Sequence, residues 1–449
     1  MIARGLVRGF LGLGVLSFLL MSSVSRADGL LELYQVALDG DPQLEVATFD
    51  HQASSEVVSQ AWAGYLPSVT LDYDSVTTTQ DIVSSDNAVF AAGSTTFPSN
   101  TLTLTFTQPI FRYANYLRIG QAKEELKQAD AQLVQAQQDL MLRVSEAYFN
   151  VLIAEDELSF LEAERVTAAK QLELAVGREE SLLGRAVDRY DAEARLATVE
   201  ADYAEAEVEL RNAYDQLYEI TGKESKQLAK LTDNVQLNSP VPGNDQYWID
   251  MAVKKNPAVV VQRHSVDVAL LEVDRQNAGH YPTLDLVYRG TNQETQGTLF
   301  GGGSEVQTQE TLLRFNLPIY SGGSVSSKKR ESVANSFSAK SELKRLIRES
   351  RSDSRKAFWG VMNAVTRVNA LEKAVSSQEA TLELRRVAYE SGLETAISVL
   401  DAERDYYSAR RDLSQAKYDY LLNGLRLKAL VGILTQEDLV AVNNWLRVN

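Results

Sequence analysis

Three histidines, His51, His264 and His280, are the only imidazoles in this chain. None stands at metal-ligand spacing from another, so no metal site is expected. Cysteine is absent. That removes a thiolate nucleophile, a disulfide and Cys-ligated zinc. No Ser-His-Asp arrangement stands out. The run "GGGS" at 301 lacks the lysine of a phosphate loop and reads as a hairpin loop. What remains in quantity is carboxylate: 61 Asp and Glu against 45 Lys and Arg, a net charge of −16. Nucleic acid is excluded as a partner, because phosphates require a basic surface. The acid surplus suits a surface or duct that handles cations, and it also keeps a chain soluble. These residues predict no enzyme and no cofactor.

The elements around those carboxylates begin after a leader. Arg4 and Arg8 precede an apolar run from Phe10 to Leu20, and Ser25-Arg26-Ala27 has the small residues of a cleavage site. Residues 1–27 read as a secretory signal peptide, too short for a membrane span. Without cysteine, no lipid anchor on an N-terminal cysteine is expected. Beyond Ala27 no apolar run is long enough to cross a membrane as a helix, so any spanning segment must be β-barrel.

The rest is written twice. "AGYLPSVTLDY" from Ala63 returns as "AGHYPTLDLVY" from Ala278, an offset of 215. "FTQPIFRYAN" around Pro109 returns as "FNLPIYSGGS" around Pro318, an offset of 209, and "YDAEARL" from Tyr190 returns as "LDAERDY", an offset of 210. The first repeat spans 28–232, a linker 233–245, the second repeat 246–432, and a C-terminal segment 433–449. Each repeat predicts a helix, two strands and two long helices. In the first, strands fall near 66–79 and 101–107, with residues 80–100 as a loop, and long helices over 115–220. In the second, strands fall near 283–294 and 306–317, with long helices over 323–431.

The long helices carry coiled-coil spacing. Leu140, Val144, Ala147, Val151, Ala154, Leu158 and Leu161 are separated by alternating steps of four and three. The next helix carries two seams one position apart, from Val187 to Val208 and from Leu196 to Ile220. Two offset seams require neighbours on both sides, as in a cylinder of helices.

The strands have two faces. Leu102, Leu104 and Phe106 alternate with Thr101, Thr103, Thr105 and Thr107 until Pro109 ends the pattern. Four strands cannot close a membrane barrel alone, since single-chain barrels start at eight. They would have to close with other copies, with Leu102, Leu104 and Phe106 facing lipid and the threonines facing water. A small soluble sheet on a helical bundle fits the alternation equally well.

The chain resembles the outer-membrane efflux family, the TolC-like trimeric export channels. The resemblance rests on "LLELYQVALDGDPQL", "AGYLP", "TQPIF", "LPIYSGG" and the stretch from Ser391 to Gly432. It implies a mainly α protein whose homotrimer forms a 12-stranded membrane β-barrel continued by an α-helical barrel. It also implies the outer membrane of a Gram-negative bacterium as location, without lipidation. The implied partners are outer-membrane lipid, a periplasmic adaptor (membrane fusion protein) and an inner-membrane ABC or proton-driven transporter. Type I protein secretion and multidrug efflux are both open as cargo. The other function class is a soluble periplasmic coiled-coil structural or adaptor protein, against which the duplication argues.

The helix turns at Ser181–Asp188 and Ser391–Ser398 lie farthest from the strands, where a closed duct would narrow. By resemblance, Asp401 matches an aspartate that rings the constriction, and Ser398 stands where a second would be. Asp188 and Tyr389 match a pair that ties helices within one subunit. Glu394 replaces the arginine often used to lock neighbouring subunits, and Arg185 or Arg189 could restore that lock with reversed polarity.

Overall fold

The computed structural model describes residues 27–84, 93–183, 185–232, 236–297 and 302–447. The leader up to residue 26, Gly184 and Gly301 of the expected turns and loops, and part of the linker lie outside these. Among the described residues no helix is long and apolar enough to cross a membrane.

The first repeat opens with α1 (Leu30–Gly40) and α2 (Pro42–Ala63). Asp41 caps α2 by accepting the Leu44 N–H at 2.8 Å, and Pro42 fills the first helical position. Strands β1 (Ser68–Ile82) and β2 (Gly93–Arg112) follow, then α3 (Tyr113–Glu180) and α4 (Ala186–Thr221). A short β3 (Lys230–Leu231) ends the repeat. The second repeat runs α5 (Asp245–Lys255), α6 (Pro257–Asn277), β4 (Thr283–Thr295), β5 (Ser304–Asn316), α7 (Ser324–Glu390) and α8 (Ala396–Leu430). Asn256 caps α6 ahead of Pro257 as Asp41 caps α2 ahead of Pro42, its side chain accepting from Val259 N–H at 3.2 Å. The chain closes with α9 (Gln436–Asn443) and β6 (Leu446–Arg447), which pairs with β3.

The strands correct the sequence reading. Proline 109 does not end β2, which runs on to Arg112 through a register shift between Pro109 and Phe111. A bulge tolerates the missing N–H. Of the loop expected over 80–100, the described residues are mostly strand, since β1 reaches Ile82 and β2 starts at Gly93. Threonine, serine and glycine suggested a loop there, but fifteen antiparallel pairs hold the hairpin.

The four strands form one antiparallel sheet in the order β1-β2-β4-β5. The central β2–β4 pairing joins the two repeats. A bidentate ion pair, Arg112 Nε and Nη2 to the Asp285 carboxylate at 2.8 Å each, ties them again at the strand–helix junction.

The main core lies at mid-length of the long helices. Tyr148, Phe149 and Leu152 of α3, Leu217 of α4, Phe358 of α7 and Tyr418 of α8 are buried there with Leu30 and Leu33 of α1. At ~1.5 Å per residue α3 is about 100 Å long, so both of its ends project well beyond this core. The two seams of α4 separate cleanly. Val199, Ala206, Ala213 and Leu217 of one seam are buried, while Val187, Tyr190, Ala194, Ala197, Ala201, Ala204 and Val208 of the other are all exposed.

Candidate gate at the helical tips

The turns between α3 and α4 and between α7 and α8 are built alike. At the first, Leu183 N–H donates to Arg178 C=O at 2.9 Å and Leu182 N–H to Glu179 C=O at 3.0 Å. At the second, Leu393 N–H donates to Ala388 C=O at 2.8 Å and Gly392 N–H to Tyr389 C=O at 2.9 Å. Both are Schellman turns, which need a left-handed residue. Gly392 supplies φ +74° at no steric cost, but Leu182 is held at φ +57° with its side chain 92% exposed.

Beyond the turns the caps differ. Thr395 caps α8, its hydroxyl accepting from Ser398 N–H at 3.2 Å. Ser398 Oγ in turn donates to Glu394 Oε2 at 2.8 Å. Arg385 Nη1 donates to Ser398 C=O at 2.9 Å and so joins α7 to α8. On the other turn, Arg185 Nη2 donates to Asp188 Oδ1 at 2.8 Å. That guanidinium holds the Asp188 carboxyl below the usual range. Arg189 bridges α4 to α3 through Glu179 at 2.7 Å and stacks its guanidinium 4.1 Å from the Tyr190 ring centre.

Within one subunit these contacts depart from the expected pairs. No hydrogen bond joins Asp188 to Tyr389, because Asp188 is taken by Arg185. Glu394 meets Ser398, and among the described residues no cation stands within ion-pair distance of it. Arg185 and Arg189 are engaged on their own turn. Asp401 lies one helical turn beyond Ser398, with Arg404 Nη1 3.9 Å away. Asp191, at the equivalent place in the first repeat, is exposed. The repeat of "YDAEA" in "LDAER" carries that equivalence.

At the other end, the sheet gathers the apolar parity on one face. Val69 lies opposite Phe106, Leu71 opposite Leu104 and Tyr73 opposite Leu102. Phe106 also lies opposite Tyr288, and Leu286 opposite Leu313. The other face carries Thr103 between Asp72 and Thr291, and Thr105 between Thr70 and Arg289. Val287 interrupts this polar face and is buried. Near the strand–helix junction Tyr113 packs between Tyr116 and Tyr281, with ring centres 6.2 and 5.1 Å apart. Tyrosines at this level are the usual border of a membrane band.

One histidine does find acidic company. His264 Nδ1 lies 3.1 Å from Glu124 Oε2, and Asp267 joins them with candidate ligand atoms within 4.8 Å of one another. Asp267 follows His264 at helical spacing, a signal the sequence reading missed. Lys127 Nζ, 2.7 Å from Glu124 Oε1, already supplies the positive charge and draws the Glu124 carboxyl below its usual range.

The sequence pattern of outer membrane efflux proteins matches residues 33–223 and 248–433, one segment in each repeat. The chain belongs to the outer membrane efflux protein family. Among curated relatives, the outer membrane protein TolC of Vibrio cholerae is 31% identical over 95% of this chain and 96% of its own length. The proteases secretion protein PrtF of Dickeya chrysanthemi is 30% identical over 94% and 92%. The alkaline protease secretion protein AprF of Pseudomonas aeruginosa is 28% identical over 94% and 88%. Among solved structures, the CmeC outer membrane channel of Campylobacter jejuni superposes with a TM-score of 0.77 at 14% identity, over 99% of this chain and 97% of that one. The open state of the MtrE outer membrane channel of Neisseria gonorrhoeae gives 0.70 at 20% identity, over 91% and 90%. This family member is an outer-membrane export channel of a Gram-negative cell and not an enzyme. Channels of the family are trimeric and work within tripartite export systems.

Proposed function

We propose that three copies of this chain close their sheets into one barrel in the outer membrane, a passive duct continued by the long helices. The observation that carries this reading is the pair of open sheet edges, β1 and β5, on a sheet with one apolar face. Open edges of this length invite pairing with a further strand. Leu102, Leu104 and Phe106 meet lipid, and the threonine face meets water. Repeats 28–232 and 246–432 each supply two strands and one helical hairpin.

The tips are the gate. Asp401 forms the constricting ring, with Ser398 and Glu394 beside it and Asp188, Tyr389, Arg185 and Arg189 on the turns that must part. A periplasmic adaptor docks on the helices, and an inner-membrane transporter, ABC-type or proton-driven, supplies the energy. Secreted protein is the favoured cargo, because PrtF and AprF match this chain over nearly its whole length and are secretion proteins by name. Detergent-purified protein in a planar bilayer tests the duct. A low, cation-preferring conductance is expected, and a protein that inserts no channel sinks the reading. Extracellular protein in a deletion strain tests the cargo, since loss of drug tolerance with secretion intact would reverse the preference.

A further inference from the structure

Two of the three histidines reach a carboxylate on a neighbouring helix, and the two settings differ. His51 Nε2 of α2 meets Asp130 Oδ1 of α3 at 2.7 Å. His264 of α6 meets Glu124 of α3, Nδ1 to Oε2 at 3.1 Å, and there Asp267 adds a third donor one turn along α6. Among the described residues this is the one place where three such ligand atoms lie within 4.8 Å of one another. The His264 and Glu124 side chains are 26% and 21% exposed, so they are held by packing yet reachable from water. Asp267 is exposed. The donors come from both halves of the chain, α3 from the first repeat and α6 from the second. Glu124 stands about 16 Å along α3 from its start at the sheet.

The spacing suits a small divalent ion. A tetrahedral zinc with bonds of ~2.0–2.2 Å keeps its ligand atoms about 3.4 Å apart. The His264–Glu124 edge is already that short. The Asp267 carboxylate has to close from 4.8 Å at most to about 3.4 Å, which a rotamer change of an exposed side chain supplies. One imidazole and two carboxylates leave a fourth position for water, and the nitrogen donor selects against calcium and magnesium, which take oxygen shells. A cation is already drawn to this place. Lys127 Nζ lies 2.7 Å from Glu124 Oε1, and Glu124 first, with Asp267 adding to it, holds that ammonium charged. Lys127 is 56% exposed and sits on Oε1, so Oε2, the oxygen facing His264, is open to a metal.

We propose that Glu124, His264 and Asp267 bind one divalent transition-metal ion of the zinc class in each chain, stapling α3 of the first repeat to α6 of the second. The duplication shows that the cluster is not a by-product of the repeated packing. At the offsets of 209 and 215, Glu124 corresponds to Val333, His264 to Phe49 and Asp267 to Gln52, so the other copy of the pattern has no ligand at any of the three positions. The staple adds a second tie between the repeats below the Arg112–Asp285 clamp, and it stiffens the end of the helices that adjoins the sheet.

A chain with no cysteine and three histidines makes the test direct. Full-length, untagged protein is purified in detergent, stripped with a chelator and titrated with zinc in a calorimeter. One ion per chain is expected, and excess calcium should not displace it. Cobalt(II) in place of zinc should give the visible absorption bands of a four-coordinate ion. His264→Ala should weaken uptake ~10-fold or more, since losing even a residue that only orients a ligand costs that much. Asp267→Asn, at an exposed position, should weaken it as well and serves where His264→Ala disturbs folding. His51→Ala should leave uptake unchanged. Zinc should also slow hydrogen exchange in α3 and α6 around Glu124 and His264, and fail to do so in Asp267→Asn. No uptake overturns the site. So does uptake that calcium displaces, that survives both His264→Ala and Asp267→Asn, or that falls as far with His51→Ala, because each of these marks diffuse binding to an acidic surface.

Discussion

The apolar face of the sheet makes a graded prediction. On β2 that face runs from Phe111, opposite Leu284, through Phe106 and Leu104 to Leu102. At ~3.4 Å per residue this is about 30 Å of strand. A strand tilt of ~40° reduces it to about 23 Å of height, close to the ~25 Å apolar band of outer-membrane barrels. Phe106 then sits nearest the midplane and Leu102 nearest the outer border. Arginine on the lipid face costs ~2–4 kcal/mol at the midplane and ~0–1 kcal/mol at the border. Phe106→Arg should therefore cost about 6–12 kcal/mol over three subunits, Leu104→Arg less and Leu102→Arg least. The control is Thr103→Arg. Its side chain would stand directly opposite Asp72 on the other face, so an opposite-charge pair forms and little stability is lost. Urea midpoints of the trimer in lipid vesicles and trimer yield in outer-membrane fractions measure the series. Equal loss from Thr103→Arg and Phe106→Arg, or the largest loss from Leu102→Arg, would refute the assignment of faces.

Leu182→Gly should relieve a left-handed leucine and stabilise the first tip by ~1 kcal/mol, read as slower hydrogen exchange at residues 178–183, while Gly392→Ala should do the opposite at the second tip. Asp401→Ala should move the reversal potential in a salt gradient toward zero, and an unchanged potential would remove Asp401 from the constriction. Glu394→Arg should raise resting conductance if Glu394 locks neighbouring subunits, and adding Arg185→Glu or Arg189→Glu should lower it again; purely additive effects would leave Glu394 a solvated charge. Asp156 accepts from Tyr418 Oη at 3.0 Å, and burial pushes its carboxyl pKa up. A raised acid pKa means the folded state keeps its proton to higher pH than the unfolded chain, whose value is ~3.9. The charge therefore costs stability at neutral pH and nothing below ~3.9. Asp156→Asn should then raise the Tm at pH 7 and leave it unchanged near pH 3.5.

Periodicity made much of this fold legible. Four-three spacing from Leu140 onward predicted long helices over 115–220, where α3 covers Tyr113–Glu180 and α4 Ala186–Thr221. The two seams of α4 predicted two neighbours, and one seam is buried while the other is bare. Proline misled, because the sequence does not show that a bulge will absorb Pro109. The Arg112–Asp285 clamp was invisible, since it depends on which strand of the second repeat pairs with β2. The tips were located by distance from the strands, yet their contacts were not legible. At exposed helix ends a side chain takes whichever partner the local turn brings nearest, and Arg185 is nearer to Asp188 than Tyr389 is.

That same exposure bears on how such a gate would open. The main core grips the long helices at mid-length; just below it Phe160, Leu161 and Ala206 form a smaller apolar cluster with Tyr407 of α8, and farther toward the tips polar contacts at the surface also bind the helices of each hairpin. Arg189–Glu179, Arg386–Glu403 and Arg385 to the Ser398 carbonyl join the helices of each hairpin at 2.7, 2.9 and 2.9 Å. Exposed pairs of this kind are each worth ~0–1 kcal/mol. They stiffen each hairpin, while the first hairpin is joined to the second nearer the core, where Arg411 of α8 lies 3.3 Å from Glu157 of α3 and over the Phe160 ring. Turning a two-state gate from 1:99 closed to 99:1 open requires a differential affinity of ~5.5 kcal/mol. Spread over three subunits that is about 2 kcal/mol each, within reach of a partner that docks on every hairpin. The hairpins can then part as stiff levers about the mid-length core, and the barrel end, clamped by Arg112 and Asp285, need not move with them.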